Sequence, residues 1–118
     1  MNPLQLAYVG DTGWEILFRG HLAAKRLNVG HMHRITVASV NAGSQREALE
    51  RIETTLTGEE QDMVRRGRNA HAKHPSPKHQ DPADYQAATG MEALFGYLYM
   101  TGQDERLLHL FRLAFKES

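Results

Sequence analysis

The sequence predicts an all-α fold, and two observations support this prediction. Apolar residues recur at helical spacing over most of the chain, and a cap residue followed by proline, as in Asn2-Pro3 and Asp81-Pro82, stands at two helix starts. The sequence contains no pair of alternating segments joined by hairpin turn residues, and no repeat at a fixed period. We therefore expect a bundle of helices without a sheet.

The first predicted element is a long helix that begins at Pro3. Its apolar positions continue to Leu22 and Leu27, and residues 28–30 then break the run. A short element follows at residues 35–40. Its β-branched side chains are compatible with a helix or with an extended segment, so the pattern leaves both open.

Two amphipathic helices are predicted in the middle of the chain. Ser44 opens the first, in which apolar residues share one face and Gln45 stands among the polar residues elsewhere. Thr57 and Glu60 form a capping box that starts the second helix, which runs toward Asn69 or beyond.

Two more helices are predicted after a loop. Residues 74–82 contain three of the four prolines and form that loop. The next helix starts at the Asp81 cap, runs to about Thr101 and is ended by Gly102. The last helix covers residues 103 to about 116.

Length and composition limit the possible classes of protein. With 118 residues, 41% of them hydrophobic, we expect a single domain over residues 1–118. The 14 basic and 14 acidic residues cancel, so any nucleic-acid binding must come from uneven placement of charge. The absence of Cys excludes disulfides and thiolate zinc sites. No signal peptide and no apolar run of roughly 18 residues is present, so a cytoplasmic protein without a membrane partner is expected.

Two acidic residues stand inside apolar stretches. Over residues 1–24 the only charged side chains are Asp11, Glu15 and Arg19, which are four apart and form one stripe on a helix. Glu92 is the only charged residue of residues 85–100. Burying a carboxylate costs several kcal/mol unless it meets a cation, hydrogen-bond donors or a metal. Asp11 and Glu92 are therefore predicted to have such partners.

Structural ion pairs are the alternative to metal binding at these positions. Asp11 taken alone is compatible with a helix carboxylate that pairs with a buried arginine. Glu92 has Arg46 and Arg68 as candidate structural partners. For Glu15, a salt bridge to the arginine one turn later competes with a role in the site.

Histidine and aromatic residues suggest structural roles more than chemical ones. His21, His31 and His33 are expected to be structural or surface residues. Trp14 and Phe95 are expected in the core or in a dimer interface.

A basic segment at residues 64–79 contains no acidic residue. Its alternative interpretation is a solvated loop. Such a concentration of positive charge also suits contacts to a phosphate backbone, and double-stranded RNA is recognised mostly by shape. The predicted RNA-binding residues are Arg65, Arg66, Arg68, Asn69, Lys73 and Lys78.

Three blocks in order along the chain resemble one family. Residues 6–11 (LAYVGD), 65–70 (RRGRNA) and 88–99 (ATGMEALFGYLY) are similar to Mini-ribonuclease III, the small bacterial relative of ribonuclease III that lacks a double-stranded RNA-binding domain. The resemblance spans almost the whole chain. It implies a compact helical endonuclease domain and a metal-dependent endoribonuclease that cuts double-stranded RNA as a homodimer, with one active site in each subunit.

The resemblance also assigns residues and partners. It implies that Asp11 and Glu92 ligate Mg²⁺ and carry catalysis, and these are the two carboxylates that the apolar stretches single out. Two metal ions about 4 Å apart, or one, would activate water and stabilise the leaving oxygen in phosphodiester hydrolysis. Family counterparts mature the precursor of large-subunit ribosomal RNA with help from a ribosomal protein, so both are expected partners.

The sequence departs from the larger ribonuclease III pattern. Leu4 and Ala7 replace glutamates of its first block, and Thr89 replaces an aspartate, losses that the small family shares. Fewer carboxylates remain for a metal, so Glu15 is a candidate third ligand, and His33 is a candidate for orienting water or phosphate. Gly13 also differs from the family pattern. A glycine inside a helix lowers helix stability by up to about 1 kcal/mol, so the sequence leaves open whether the helix is regular beside Asp11.

Two further hypotheses remain besides the enzyme. A helical RNA-binding or ribosome-assembly module would keep the fold without turnover, and a helical protein-interaction domain is the third possibility. A dimer is expected in addition, because one small bundle does not easily bury every large apolar side chain of its helices. The side chains in question are Trp14, Phe18, Met91, Phe95, Tyr97 and Tyr99.

Overall fold

The computed structural model describes residues 1–39, 41–70 and 81–115, without the side chains of residues 37–39. Its described part contains six α-helices, a short 3₁₀ turn and no strand, which confirms the all-α prediction. The helices are α1 (Pro3–Ala24), α2 (Val29–Ser39), α3 (Ala42–Ile52), α4 (Gly58–Asn69), α5 (Pro82–Met100) and α6 (Asp104–Ala114), and the 3₁₀ turn is Glu53–Thr55. None of the helices in these ranges is both long and apolar enough to cross a membrane.

Helix α1 begins as predicted but ends earlier. Asn2 Oδ1 accepts a hydrogen bond from Gln5 N at 2.8 Å, and Gln5 Oε1 accepts one from Asn2 N at 2.9 Å. The helix ends at Ala24, and Arg26 has a φ of 59°, so Leu27 lies outside it. The expectation that the helical run continues to Leu27 is therefore wrong.

Helix α2 settles the two alternatives left open for residues 35–40, of which residue 40 lies outside the described residues. Residues 28–30 start this helix rather than only breaking the preceding run, because Asn28 Oδ1 accepts a hydrogen bond from His31 N at 2.8 Å. This side chain satisfies one of the free N–H groups of the first turn. Ile35 packs against the core, which offsets the weak helix propensity of β-branched residues.

The remaining helix starts follow their caps. Helix α3 starts at Ala42 instead of Ser44, because Asn41 Oδ1 accepts from Ser44 N at 2.9 Å and places Ser44 in the first turn. The capping box of α4 is confirmed, with Glu60 N donating to Thr57 Oγ1 at 3.2 Å.

Helices α5 and α6 occupy the predicted part of the chain. Asp81 Oδ1 accepts hydrogen bonds from the first turn of α5, as predicted. Gly102 has a φ of 71°, the left-handed conformation that allows the chain to turn before α6. Helix α6 ends at Ala114, and residues 116–118 lie outside the described residues.

Helix α5 is the centre of the bundle and packs against α1, α3, α4 and α6. Its contact with α1 is backbone against backbone. An ideal Cβ built on Gly10 would lie 1.7 Å from the Glu92 carbonyl oxygen, and one on Gly96 would lie 1.9 Å from the Leu6 carbonyl oxygen. Only glycine permits this approach. The crossing therefore fixes Glu92 next to the residue that precedes Asp11.

Four of the nine aromatic residues are buried: Trp14, Phe18, Phe95 and Phe111. Trp14, Phe18 and Phe95 are at most 3% exposed, and the Trp14 ring meets the Phe95 ring edge to face with centroids 5.3 Å apart. This confirms core positions for Trp14 and Phe95. It also corrects the argument for a dimer, since Met91 is buried as well and, of the residues named there, only Tyr99, at 60% exposed, lies clearly outside.

Candidate active site

A cleft of about 410 Å³ opens between α1, α3 and α5. Both candidate carboxylates lie in its wall, Asp11 from α1 and Glu92 from α5, although they are far apart in the sequence. The rest of the lining comes from the same three helices and the residue before α3: Leu4, Ala7, Tyr8, Asn41, Ala42, Gln45, Tyr85, Ala88 and Thr89.

The two carboxylates differ in exposure. Asp11 is exposed, so the expectation that it is buried is wrong. It lies at the rim because it follows Gly10, whose Cα faces the α5 backbone. Glu92 is partly exposed and lies deeper in the cleft. Burial, and after it the charge of Asp11, raises the pKa of Glu92 to about 8.

The pKa of Asp11 is also raised, first because part of its carboxyl group lies against the cleft wall and loses water there, and then by the charge of Glu15. Glu92, with a pKa of about 8, holds a proton near neutral pH, and a cation bound beside it would release that proton. A carboxyl group in a cleft whose pKa is raised by burial and by a neighbouring charge is typical of a functional site.

The structural ion pairs weighed for Glu92 do not form in the described part of the chain. The Arg46 guanidinium binds Asp84 at 2.9 Å, and that of Arg68 binds Glu53 at 3.1 Å. Both arginines therefore have other carboxylate partners.

Glu15 forms a salt bridge with Arg19, which was the alternative to a role beside Asp11 and Glu92. Its carboxylate binds the guanidinium of Arg19, as the spacing of four predicted. Within the described residues, no group of three or more Asp, Glu or His side chains is placed to hold a metal. The structure thus brings Asp11 and Glu92 to one cleft and gives Glu15 a different partner.

The carboxylate pair fits a hard divalent cation. Mg²⁺ is commonly held by one or two carboxylates, with waters and substrate phosphates completing its ligands, so a closed cage of protein ligands is not required. Burial, and after it the charge of Asp11, disfavours the ionised form of Glu92, and a cation bound in the cleft would offset both effects.

Gln45 is a site residue that the sequence pattern did not predict. The pattern groups Gln45 with the polar residues of its helix, but the side chain is 2% exposed and lines the cleft. The side chain lies close enough to Glu92 to favour the ionised form of that carboxyl group, and its buried Nε2 makes no regular hydrogen bond to any group in the described part of the chain. Helical periodicity alone could not identify it, since a glutamine at the edge of an apolar face is usually solvated.

Thr89 is buried in the same wall and donates a hydrogen bond from Oγ1 to the Tyr85 carbonyl at 2.9 Å. It therefore lines the cleft without a charge.

His21, His31 and His33 are not among the residues that line the cleft. His21 meets the Phe115 ring edge to face at 4.6 Å, consistent with the structural role expected for it. His31 and His33 are exposed.

The basic segment is described only as far as residue 70. Arg65 binds Asp62 and Arg68 binds Glu53, whereas Arg66 and Asn69 are exposed. The predicted RNA contacts at Lys73 and Lys78 lie outside the described residues. Helix α4 carries this segment against α5, where the Arg68 side chain passes over Gly90.

An exposed apolar face lies on α1 and the end of α5. Its main residues are Tyr8, Ile16 and Tyr99, which are 82%, 68% and 60% exposed and surround a shallow depression of about 430 Å³. Gly13 lines this depression. Helix α1 is continuous from Pro3 to Ala24, so Gly13 does not interrupt the helix beside Asp11.

The chain is similar to known proteins over nearly its whole length. The family model of the ribonuclease III domain matches residues 4–103. The chain is 46% identical to Mini-ribonuclease 3 of Symbiobacterium thermophilum, covering 97% of this chain and 88% of that protein. It is 41% identical to Mini-ribonuclease 3 of a Thermoanaerobacter species, covering 97% and 80%. A crystal structure of a Fusobacterium nucleatum protein matches with a TM-score of 0.84 at 25% identity, covering 95% of this chain and 89% of that one.

Proposed function

The chain belongs to the ribonuclease III family and is an endoribonuclease by that membership, and we propose that it cleaves double-stranded RNA with Mg²⁺ as a homodimer. One observation carries the proposal. Asp11 and Glu92, which come from helices distant in the sequence, share one open cleft whose wall is otherwise mostly uncharged. We propose further that the natural substrate is the precursor of large-subunit ribosomal RNA, processed in the cytoplasm with a ribosomal protein as partner.

The residues of the cleft suit phosphodiester hydrolysis. When bound, a magnesium ion supplies the activation of water near neutral pH and the stabilisation of the leaving oxygen. Asp11 at the rim and Glu92 deeper in the cleft present carboxylate oxygens to one volume, and Glu92 holds or releases a proton near neutral pH. The α1–α5 crossing at Gly10 keeps their backbones in a constant relation.

Cleavage of a plain RNA duplex tests the proposal. Purified protein is incubated with labelled duplex RNA in magnesium, in chelator, and with single-stranded RNA of the same sequence. We expect cleavage of the duplex only with magnesium. Salt-sensitive binding without cleavage would instead support the RNA-binding module, and neither binding nor cleavage would support the protein-interaction domain.

The exposed apolar face is the proposed dimer interface. Tyr8, Ile16 and Tyr99 form an apolar surface on one side of the protomer, and exposed apolar patches of this kind mark interaction sites. A second copy is the proposed occupant, because in a two-fold dimer the same patch of both copies meets, and each apolar patch then buries the other. The open space above Gly13 would admit a side chain of the second copy.

Light scattering at micromolar concentration should give about twice the 13.3 kDa mass of one chain. The double variant Ile16→Lys, Tyr99→Lys is expected to be a folded monomer, since charge repulsion and desolvation oppose the interface. Val29→Lys, at a residue that is 80% exposed outside the patch, serves as the control and should leave the mass unchanged. A monomeric mass for the unmodified protein would rule the dimer out.

The basic segment is the proposed RNA contact. Replacing Arg65, Arg66 and Lys73 with Ala should weaken binding to duplexes of different sequence by similar factors. It should also reduce the salt slope by about one for each lost phosphate contact. The control removes equal charge elsewhere, by Ala at Lys25, Arg34 and Arg112, which are exposed on other helices or turns. Equal effects of the two triple variants, or none from the first, would show that the segment makes no specific contact.

A further inference from the structure

We propose that Gln45 is a positioning residue of the carboxylate pair, whose side-chain amide donates a hydrogen bond to Glu92 and holds that carboxylate toward a divalent cation. This inference rests on the proposed function, because it assigns a role within the same cleft. It depends on three observations about Gln45: its burial, its unpartnered donor and its fixed helix.

The burial of Gln45 is unusual for its residue type. Its side chain is 2% exposed and lines the cleft together with Asp11 and Glu92. Glutamine is seldom fully buried without hydrogen-bond partners, because loss of water from an amide is unfavourable. The helix therefore directs a polar group into the site where an apolar side chain would pack at lower cost.

The unpartnered atom of Gln45 is its donor nitrogen. Nε2 is buried and makes no hydrogen bond to any group in the described part of the chain. A buried donor without a partner is unfavourable, so we expect it to find an acceptor when a cation occupies the cleft. Glu92, beside which the amide lies, is such an acceptor once its carboxylate is oriented for a cation.

The chemistry of the unpartnered nitrogen favours positioning over direct ligation. The amide nitrogen has two N–H donors and no free lone pair, so it does not bind a hard cation. A donor that holds a ligating carboxylate in place is the usual outer-shell arrangement of metal sites. Gln45 thus orients Glu92 and does not itself touch the reacting atoms.

The position of Gln45 is fixed by contacts on either side of it. Asn41 Oδ1 accepts from Ser44 N at 2.9 Å and anchors the first turn of α3. Arg46 Nη1 binds Asp84 Oδ1 at 2.9 Å, which joins α3 to the start of α5. Helix α3 is therefore held against the helix that carries Glu92, with little freedom to rotate the amide away.

The test compares Gln45→Met and Gln45→Glu with wild type, and uses Gln86→Met, an exposed glutamine of α5, as the matched control. The readouts are melting temperature in chelator, magnesium affinity from the rise in melting temperature with added Mg²⁺, and kcat and KM for duplex RNA. Gln45→Met removes the amide at similar volume. Gln45→Glu removes the donor but keeps a side-chain oxygen.

We expect Gln45→Met to melt in chelator at or above the wild-type temperature, because it removes an unpaired buried donor. It should bind Mg²⁺ about 10- to 100-fold more weakly and lose a similar factor in kcat, with KM for RNA unchanged. Gln45→Glu should lose at least as much, and Gln86→Met nothing.

Three results would overturn the inference. Wild-type magnesium affinity and kcat in Gln45→Met would leave Gln45 without a role in the site. A large fall of its melting temperature in chelator would make the residue a packing element. Retained affinity in Gln45→Glu alone would assign the oxygen as a direct ligand. If the wild-type protein does not cleave RNA, the proposed function fails separately, and the magnesium affinities still decide the role of Gln45.

Discussion

Asp11→Asn and Glu92→Gln are each expected to abolish magnesium-dependent cleavage of duplex RNA while RNA binding and dimerisation stay nearly intact. The two carboxylates share one cleft, and each neutral side chain keeps the shape but loses the charge that holds a cation. Loss of a metal ligand typically removes far more activity than loss of a phosphate contact. We therefore expect at least a thousandfold fall in the rate, a loss of roughly 4 kcal/mol of transition-state stabilisation.

Although Glu92→Gln should abolish cleavage, it should raise the stability of the metal-free protein. Burial and the charge of Asp11 raise the pKa of Glu92 from 4.5 to about 8. Between these values the folded protein binds a proton that the unfolded chain releases, so the stability of the metal-free protein falls as pH rises from 4.5 to about 8. Glu92→Gln does not ionise, so it should lose this fall and be more stable than wild type at pH 8 by an amount on the order of a few kcal/mol.

The measurement joins cleavage assays in magnesium with melting temperatures in chelator at pH 5 and pH 8. Glu105→Gln, at an exposed acid of α6, is the control and should change neither. Glu15→Gln separately tests the third candidate ligand, and we expect it to keep activity because its carboxylate binds Arg19. Retained cleavage in both Asp11→Asn and Glu92→Gln would refute the catalytic assignment. Lost cleavage with a large fall in melting temperature would indicate a structural ion pair instead.

Among the glycines of the described residues, Gly10 is expected to lose the most stability when it is replaced by Ala, because the new Cβ would make the shortest contact. The new Cβ would lie 1.7 Å from the Glu92 carbonyl oxygen and 2.8 Å from the Gly96 backbone nitrogen. Backbone atoms cannot rotate away as a side chain does, so α1 and α5 must separate along the central contact of the bundle. We expect a cost of at least about 4 kcal/mol, and with it the loss of cleavage, because the separation moves Asp11 relative to Glu92.

Gly20→Ala is the matched control, since it lies on the same helix and its Cβ would meet no atom within 4 Å. It should raise stability by about 0.5 to 1 kcal/mol, the usual gain when alanine replaces glycine inside a helix. Thermal unfolding monitored by circular dichroism measures both variants. A Gly10→Ala protein that melts and cleaves like wild type would contradict the close crossing of α1 and α5.

The sequence by itself determined the helices and most of their starts. Caps such as Asn2, Thr57 and Asp81 act within one turn, so the local sequence contains all the information that they need. The prediction was wrong at the end of α1 and at the start of α3. Asn28 before α2 and Asn41 before α3 each accept a hydrogen bond from the N–H three residues later, and these caps set where the helices start.

The sequence also singled out Asp11 and Glu92, through their isolation in apolar stretches and through the resemblance of the blocks around them. Only the tertiary structure decided that both line one cleft, that Asp11 is exposed and that Gln45 is buried beside Glu92. These facts depend on how α1 and α3 lie against α5. That arrangement follows from contacts such as Gly10 against Glu92 and Arg46 against Asp84, which join residues far apart in the chain and leave no periodic signal in it.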